Sequence, residues 1–279
     1  MTVPLRSLAR ALAFWLALAP PAAALEEVPY VTTPQAVVDA ILALAQVRAD
    51  DTLYDLGSGD GRIVITAASR FGARGLGVEL DPALVQLSNE KAREAGVGDR
   101  ARFAQQDLFD TDLSPASVVT MYLLPDVNLA LRPKLLGTLR PGTRIVSHDW
   151  DLGDWRPDRT LAVPAPGKPV GREPVSRLHL WVVPAAVEGR WRGRVAGAGR
   201  SRAIALAIEQ KYQDVSVAVS LGNSAPVQAT GAMTGAAIAF EADAGKARMR
   251  FEGRLQGTRL AGEATVDGRR VRWSVARRP

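Results

Sequence analysis

Thr52-Leu-Tyr-Asp-Leu-Gly-Ser-Gly-Asp-Gly61 decides the fold. A short apolar strand carrying Leu53, Tyr54 and Leu56 runs into glycines at alternate positions, Gly57, Gly59 and Gly61. A helical pattern starts at once, Arg62-Ile-Val-Ile-Thr-Ala-Ala68. Strand, glycine turn and helix are the way an α/β sheet receives a nucleotide-like ligand at the carboxyl end of its first strand. Bare α-carbons let the backbone approach a ligand, and the helix N-terminus is expected to offer free N–H groups. The spacing is G-x-G-x-G and not the dinucleotide G-x-G-x-x-G. Asp55 lies two residues ahead of the first glycine, and Asp60 lies inside the loop. Two carboxylates repel a pyrophosphate and favour a cationic amino-acid ligand, which points to S-adenosylmethionine, a sulfonium with an ammonium and no phosphate.

Working outward, residues 26–186 alternate helical and strand patterns. Thr33-Pro34 reads as an N-cap with proline at the first helical position, followed by Val37, Val38, Ile41, Leu42 and Ala45 at helical spacing. Strands are expected over 52–56, 75–79, 101–104, 117–122, 143–147 and 177–183, and helices over 61–71, 82–95 and 126–139. The Pro- and Gly-rich stretch 164–174 reads as a loop. This is the β-α-β-α order of a Rossmann-like, doubly wound, mostly parallel sheet.

From residue 187 the character changes. Short alternating runs such as Val215/Val217/Val219 and Val271/Trp273/Val275 are separated by glycine turns, with no helical pattern. They predict a small antiparallel β meander, closed or nearly closed as a barrel. Residues 187–279 hold 16 basic and 8 acidic side chains, against 17 basic and 21 acidic over 26–186, so the basicity of the chain belongs to this last third. Arg248, Arg250, Arg270 and Arg272 alternate with Met249, Phe251, Val271 and Trp273 and therefore face solvent. Such a face suits an anionic envelope surface or an acidic partner as well as plain solvation. The aromatic residues fall with the inward set, which argues against nucleic acid.

At the other end, Arg6 and Arg10 precede the apolar run 11–19, then Pro20-Pro21 and Ala22-Ala-Ala24. This reads as a signal peptide over 1–24, with an uncleaved membrane anchor as the alternative, and places the protein outside the cytoplasm, in a periplasm. The methyl-donor domain then spans 25–186 and the basic β domain 187–279. The chain has no cysteine and two histidines, which excludes disulfides, thiolate catalysis and Cys-based metal sites, and makes a His-rich zinc site improbable.

In this fold a ligand gathers groups from the ends of successive strands. Asp55 lies where a methionine ammonium would sit. Glu79 ends the second strand, placed to accept both ribose hydroxyls, and Asp107 follows the third, placed to accept an adenine amine. Each alone reads better as an N-cap or a solvated acid; their common register favours the nucleoside. With Ser58 and the three glycines they form the expected cofactor set, and Tyr30 and Thr33 close it from the N-terminal side. Tyr122 is the expected acceptor-side wall. His148 and Asp149 are candidates for orienting an amine or relaying its proton, or else merely a capped strand end.

Asp55-Leu-Gly-Ser-Gly-Asp-Gly61, Gly77-Val-Glu-Leu-Asp-Pro82 and Gln106-Asp-Leu-Phe109 resemble the successive motifs of class I S-adenosylmethionine-dependent methyltransferases. Val28-Pro-Tyr-Val-Thr-Thr-Pro34, Thr120-Met-Tyr-Leu-Leu-Pro125 with Asn128 and Arg132-Pro133, and Ser147-His-Asp-Trp150 with Asp154-Trp155 narrow the resemblance. They resemble the protein-lysine methyltransferases whose mitochondrial members modify the adenine nucleotide translocase and the ATP synthase c subunit. That resemblance implies methyl transfer to a lysine amine of a protein. A small-molecule methyltransferase and a non-catalytic nucleoside-binding envelope protein are the alternatives.

Overall fold

The computed structural model describes residues 31–166, 168, 174–197, 200–243, 248–266 and 268–278. The stretch 1–24, expected to be a signal peptide, and Tyr30 lie outside the described residues.

Four helices and seven strands build the first sheet. In chain order they are α1 (Gln35–Leu44), β1 (Thr52–Leu56), α2 (Arg62–Phe71), β2 (Arg74–Glu79), α3 (Pro82–Glu94), β3 (Ala101–Gln105), β4 (Val118–Met121), α4 (Pro125–Thr138), β5 (Arg144–His148), β6 (Arg159–Pro164) and β7 (Val175–Val182). The strand order is β3-β2-β1-β4-β5-β7-β6. The first five are parallel, and β7 runs antiparallel against both β5 and β6. β1 and β4 are neighbours although two strands intervene in sequence, so the order reverses between them. That reversal opens the crevice at their carboxyl ends where ligands bind in such sheets.

The central strands are apolar because both faces are covered. β4, Val-Val-Thr-Met, is buried throughout, and Leu53, Val118 and Val146 pack under α1 and α2 with Val38, Leu42 and Val64. The other face holds Leu56, Val119, Met121, Ile145, Leu131 and Leu135, with Trp155 and Trp181.

Eight further strands close an antiparallel barrel: β8 (Gly189–Gly197), β9 (Arg200–Lys211), β10 (Asp214–Leu221), β11 (Val227–Thr234), β12 (Ala237–Asp243), β13 (Arg248–Gln256), β14 (Arg259–Val266) and β15 (Arg269–Arg277). Its interior is filled by Trp191, Ile204, Leu206, Val217, Phe240, Phe251 and Trp273. Phe240 and Phe251 stack with centroids 4.7 Å apart, and Trp273 meets Phe251 edge-on at 5.8 Å. Trp273 donates its indole N–H to the carbonyls of Glu252 and Glu263, so its polar atom is satisfied inside an apolar core. Arg248, Arg250, Arg270 and Arg272 are exposed, as the alternation requires.

The hairpin turn between β9 and β10 joins the barrel to the sheet. Tyr212, at φ 53°, stacks on buried Trp155 with centroids 5.7 Å apart and donates its hydroxyl to Asp154 at 2.9 Å. Asp154 also pairs with Lys211 at 3.0 Å and with Arg132 at 2.6 Å. Hydrogen bonds from Lys211 and Tyr212 hold its carboxyl down at about 2. Asp154-Trp155 thus fastens the two sheets together.

Two strands escape the sequence pattern. β6 is an edge strand, exposed along nearly its whole length, so burial imposes no period on it. β11 turns Ala229, Gly231 and Met233 inward, which gives little hydrophobic contrast. Gly231 cannot be larger, because a β-carbon there would lie 2.0 Å from the Ala239 carbonyl oxygen.

Thr33 does not cap α1. Pro34 occupies the N-cap position without a side-chain cap, and buried Thr33 turns its hydroxyl to His148 Nδ1 at 3.4 Å. Its carbonyl accepts from Arg62 at 2.7 Å, which anchors the entry to α1 on the start of α2.

Candidate active site

The glycine loop lies at the reversal point. Gly57, Gly59 and Gly61 all have positive φ (74°, 52° and 79°), which β-carbon-bearing residues adopt at a cost. At Gly61 a β-carbon would also lie 2.6 Å from the Phe103 ring and 2.9 Å from Ser88, so glycine is required twice over.

The loop's amides are not free for an anion. Gly57 and Ser58 both donate to the Val78 carbonyl at 3.0 Å, Gly61 donates to the Ser58 carbonyl at 2.9 Å, and Gly59 donates to Glu79 Oε2 at 3.0 Å. Nor does Asp60 offer its charge to a ligand. Burial pushes its carboxyl up, but hydrogen bonds from Arg62 and from Lys91 at 2.7 Å outweigh that and hold it well below the usual carboxylate range. Asp60 joins the loop to α3 and is spent internally. Asp55, by contrast, has no cationic partner among the described residues.

Asp55 ends β1 and pairs in register with Thr120 of β4, whose hydroxyl donates to Asp55 Oδ1 at 2.7 Å. The residue is 3% exposed. Burial, outweighing the Thr120 hydrogen bond and reinforced by the charges of Glu79 and Asp60, pushes its carboxyl up to about 7. A buried carboxylate of this kind is completed by a cationic ligand. Ser58 Oγ, also buried, has no hydrogen-bond partner among the described residues. Glu79 turns Oε2 to Gly59 and accepts the Leu80 N–H on Oε1 at 2.8 Å. Asp107 is exposed and accepts the Phe109 N–H at 2.8 Å. Leu80 and Phe109, next to these two acids, are 60% and 43% exposed, unusual for large apolar groups. They could serve as apolar walls for a purine, and their signal in sequence was nearness to Glu79 and Asp107. Orphaned Ser58, uncompensated Asp55, the two acids and the apolar walls fit the methionine, ribose and adenine parts of S-adenosylmethionine.

Next to this crevice a second cluster stands at the ends of β4 and β5. Tyr122 stacks on His148 with ring centroids 3.9 Å apart and donates its hydroxyl to Asp149 Oδ2 at 3.2 Å. Burial, then the Asp149 charge, raises the phenol to about 12, so it stays protonated. His148 is buried between Thr33 and Ser176, the latter 2.7 Å from Nε2, and burial pushes its imidazole down to about 4. It is neutral near pH 7 and packs Tyr122; it does not face outward as a proton carrier. Asp149 adopts φ 66°. Its Oδ1 accepts the Arg177 N–H at 3.0 Å and its Oδ2 meets Lys168 Nζ at 2.5 Å. Burial raises the carboxyl, but these partners, Lys168 first, hold it below its ordinary value. Asn128 of α4, buried, ties down the strand end by donating to Ser147 Oγ at 3.1 Å and to the Trp150 and Asp151 carbonyls at 3.3 Å. Lys168 was not anticipated, because it lies between β6 and β7, where composition signalled only a loop. Among the described residues no His/Cys/Asp/Glu group has the arrangement of a metal site.

Fold and site together define an S-adenosylmethionine-dependent methyltransferase. The family model of the ANTKMT methyltransferase domain matches residues 55–159. A protein-lysine N-methyltransferase of Saccharolobus islandicus is 44% identical over 137 residues, covering 49% of this chain and 85% of that protein. The mouse adenine nucleotide translocase lysine N-methyltransferase is 38% identical over 132 residues, covering 47% of this chain and 57% of that protein. A solved Salinibacter ruber structure, described as an RNA methyltransferase in complex with S-adenosyl-L-homocysteine, is 51% identical with a TM-score of 0.52, covering 56% of this chain and 96% of that one. The chain belongs to the ANTKMT methyltransferase-domain family. It spans most of the archaeal relative but a little over half of the mouse one, and the family match ends ahead of the barrel.

Proposed function

We propose that this protein transfers a methyl group from S-adenosylmethionine to the side-chain amine of a protein lysine. The observation that carries the reading is Asp149 Oδ2, a partly buried carboxylate oxygen shared with the Tyr122 hydroxyl beside the cofactor crevice. A carboxylate with an aromatic wall recognises an alkylammonium. The archaeal and mouse relatives are named for the same acceptor chemistry.

When bound, S-adenosylmethionine supplies an electrophilic methyl group on sulfur. Asp55, Ser58 and the glycine loop are the residues to hold its methionine end, Glu79 the ribose, and Asp107 the adenine between Leu80 and Phe109. Thr33 lies behind His148 and supports the acceptor wall. Tyr122 and Asp149 orient the amine, and positioning supplies much of the acceleration in such a transfer. Asn128 and the Asp149 backbone keep that geometry fixed. The Asp149 carboxylate favours the ammonium form of the acceptor, so the amine must pass its proton to solvent before its lone pair can attack the methyl carbon. We read residues 1–24 as an export signal and the site of action as extracytoplasmic, with the basic barrel surface facing an anionic envelope partner.

The test is transfer of labelled methyl from S-adenosylmethionine, by the full chain, to poly-L-lysine, to envelope proteins and to total RNA. Label on lysine, lost in Asp55→Ala and Glu79→Ala, is the expected result. Label confined to RNA, the substrate in the Salinibacter description, overturns the acceptor. Cofactor binding with no transfer to any of them favours the non-catalytic alternative.

A further inference from the structure

β7 starts beside the carboxyl end of β5, since the two pair antiparallel and His148 lies opposite Leu178. Lys168 stands between β6 and β7. Its Nζ is 2.5 Å from Asp149 Oδ2 and donates to the Val175 carbonyl at 3.0 Å, and its side chain is 9% exposed. Lys91 and Lys211, by contrast, are paired with carboxylates but 40% and 72% exposed. Taking an ammonium out of water is costly unless a fixed counter-charge receives it. Here the counter-charge is the same oxygen that accepts the Tyr122 hydroxyl.

We propose that Lys168 occupies the subsite in which the acceptor's ammonium binds, so that an incoming lysine must displace it from Asp149 Oδ2. The inference rests on the lysine reading above and adds to it an internal competitor supplied by the chain. Asp149 cannot swing aside to serve two cations. Its other oxygen is held by the Arg177 N–H, its own N–H donates to the Arg177 carbonyl at 2.6 Å, and Asn128 secures the backbone that follows. Two ammonium groups on one oxygen would repel at close range, so the exchange is one for one. A site held by its internal occupant about nine-tenths of the time raises the apparent Kd of any external ligand about tenfold. Lys168 is in this sense a specificity-determining residue: it admits lysines that bring binding energy from the surrounding polypeptide and excludes free amines.

The probe is n-butylammonium, a mimic of the lysine side chain, titrated into the full chain saturated with S-adenosylhomocysteine. Binding about tenfold tighter in both Lys168→Met and Lys168→Gln than in the wild type is expected, with Lys168→Arg close to wild type and Asp149→Asn losing the probe. S-adenosylhomocysteine affinity reports the folding of each variant. In the unmodified protein, the Lys168 ¹⁵Nζ resonance should move toward that of a solvated ammonium as the probe is added. A resonance that does not move, or neutral variants that bind the probe no better than wild type, overturns the proposal and leaves Lys168 as a tether for its loop. The two readings fail separately. Methylation of poly-L-lysine without tightening in the neutral variants defeats only the competitor, whereas absence of methyl transfer to lysine defeats the acceptor reading itself.

Discussion

Replacing Asp55 by asparagine tests the electrostatics of the cofactor crevice. In the folded, ligand-free protein the carboxyl titrates near 7 because it is buried; in the unfolded chain it titrates near 4. The folded state therefore keeps a proton that the unfolded state has released. With the folded value raised, the stability held at low pH is lost as pH rises from about 4 through about 7. The shift of about three units corresponds to about 4 kcal/mol, of which about 1.4 kcal/mol falls between pH 6 and pH 8. Asparagine retains an acceptor for the Thr120 hydroxyl but brings amide donors whose burial costs about 1–3 kcal/mol. Asp55→Asn should thus be more stable than wild type at pH 8 by about 1–3 kcal/mol. Urea unfolding at the two pH values should show the difference between variant and wild type widening by about 1.4 kcal/mol from pH 6 to pH 8. The same variant should bind S-adenosylmethionine at least about tenfold more weakly, having lost the counter-charge. Wild type should release a proton on binding at pH 6, visible as a binding enthalpy that depends on the buffer, and Asp55→Asn should not. A difference that stays constant between pH 6 and pH 8 would refute the reasoning.

Gly61→Ala should cost about 2–4 kcal/mol in urea unfolding, from the positive φ and from contact with the Phe103 ring and Ser88. Tyr122→Phe should leave S-adenosylmethionine affinity within about twofold and lower kcat by about tenfold to a hundredfold, since a hydrogen bond to a charged group contributes about 1.5–3 kcal/mol. His148, with its folded value depressed to about 4 by burial, gives stability that is present above about pH 6.5 and lost as pH falls toward 4. Its ring resonances in NMR should stay those of a neutral imidazole from pH 8 to pH 5, and a midpoint near 6.5 would contradict the burial argument.

Much of the sheet was legible because its signals are local. The glycine loop needs positive φ at Gly57, Gly59 and Gly61, and the buried parallel strands need continuous apolar runs, so both requirements are written into consecutive residues. The barrel's alternation was legible for the same reason, except in β11, where closure demanded small inward residues and erased the contrast. β6, an exposed edge, carries no pattern to read. The site divides in the same way. Asp55, Glu79 and Asp107 follow from position at strand ends. What each carboxylate is paired with does not, because partners such as Thr120 and Lys91 are far away in the chain.

By itself the sequence determined the strand–loop–helix order and the passage from an α/β sheet to short alternating strands, since these rest on periodicity and on the backbone demands of single residues. Only the tertiary structure decided how charge is distributed among the acids. It neutralised Asp60 with Arg62 and Lys91, left Asp55 buried with no cation beside it among the described residues, and brought Lys168 onto Asp149. Electrostatic energy depends on distance and on exclusion of water, and both are set by the packing of segments far apart in the chain.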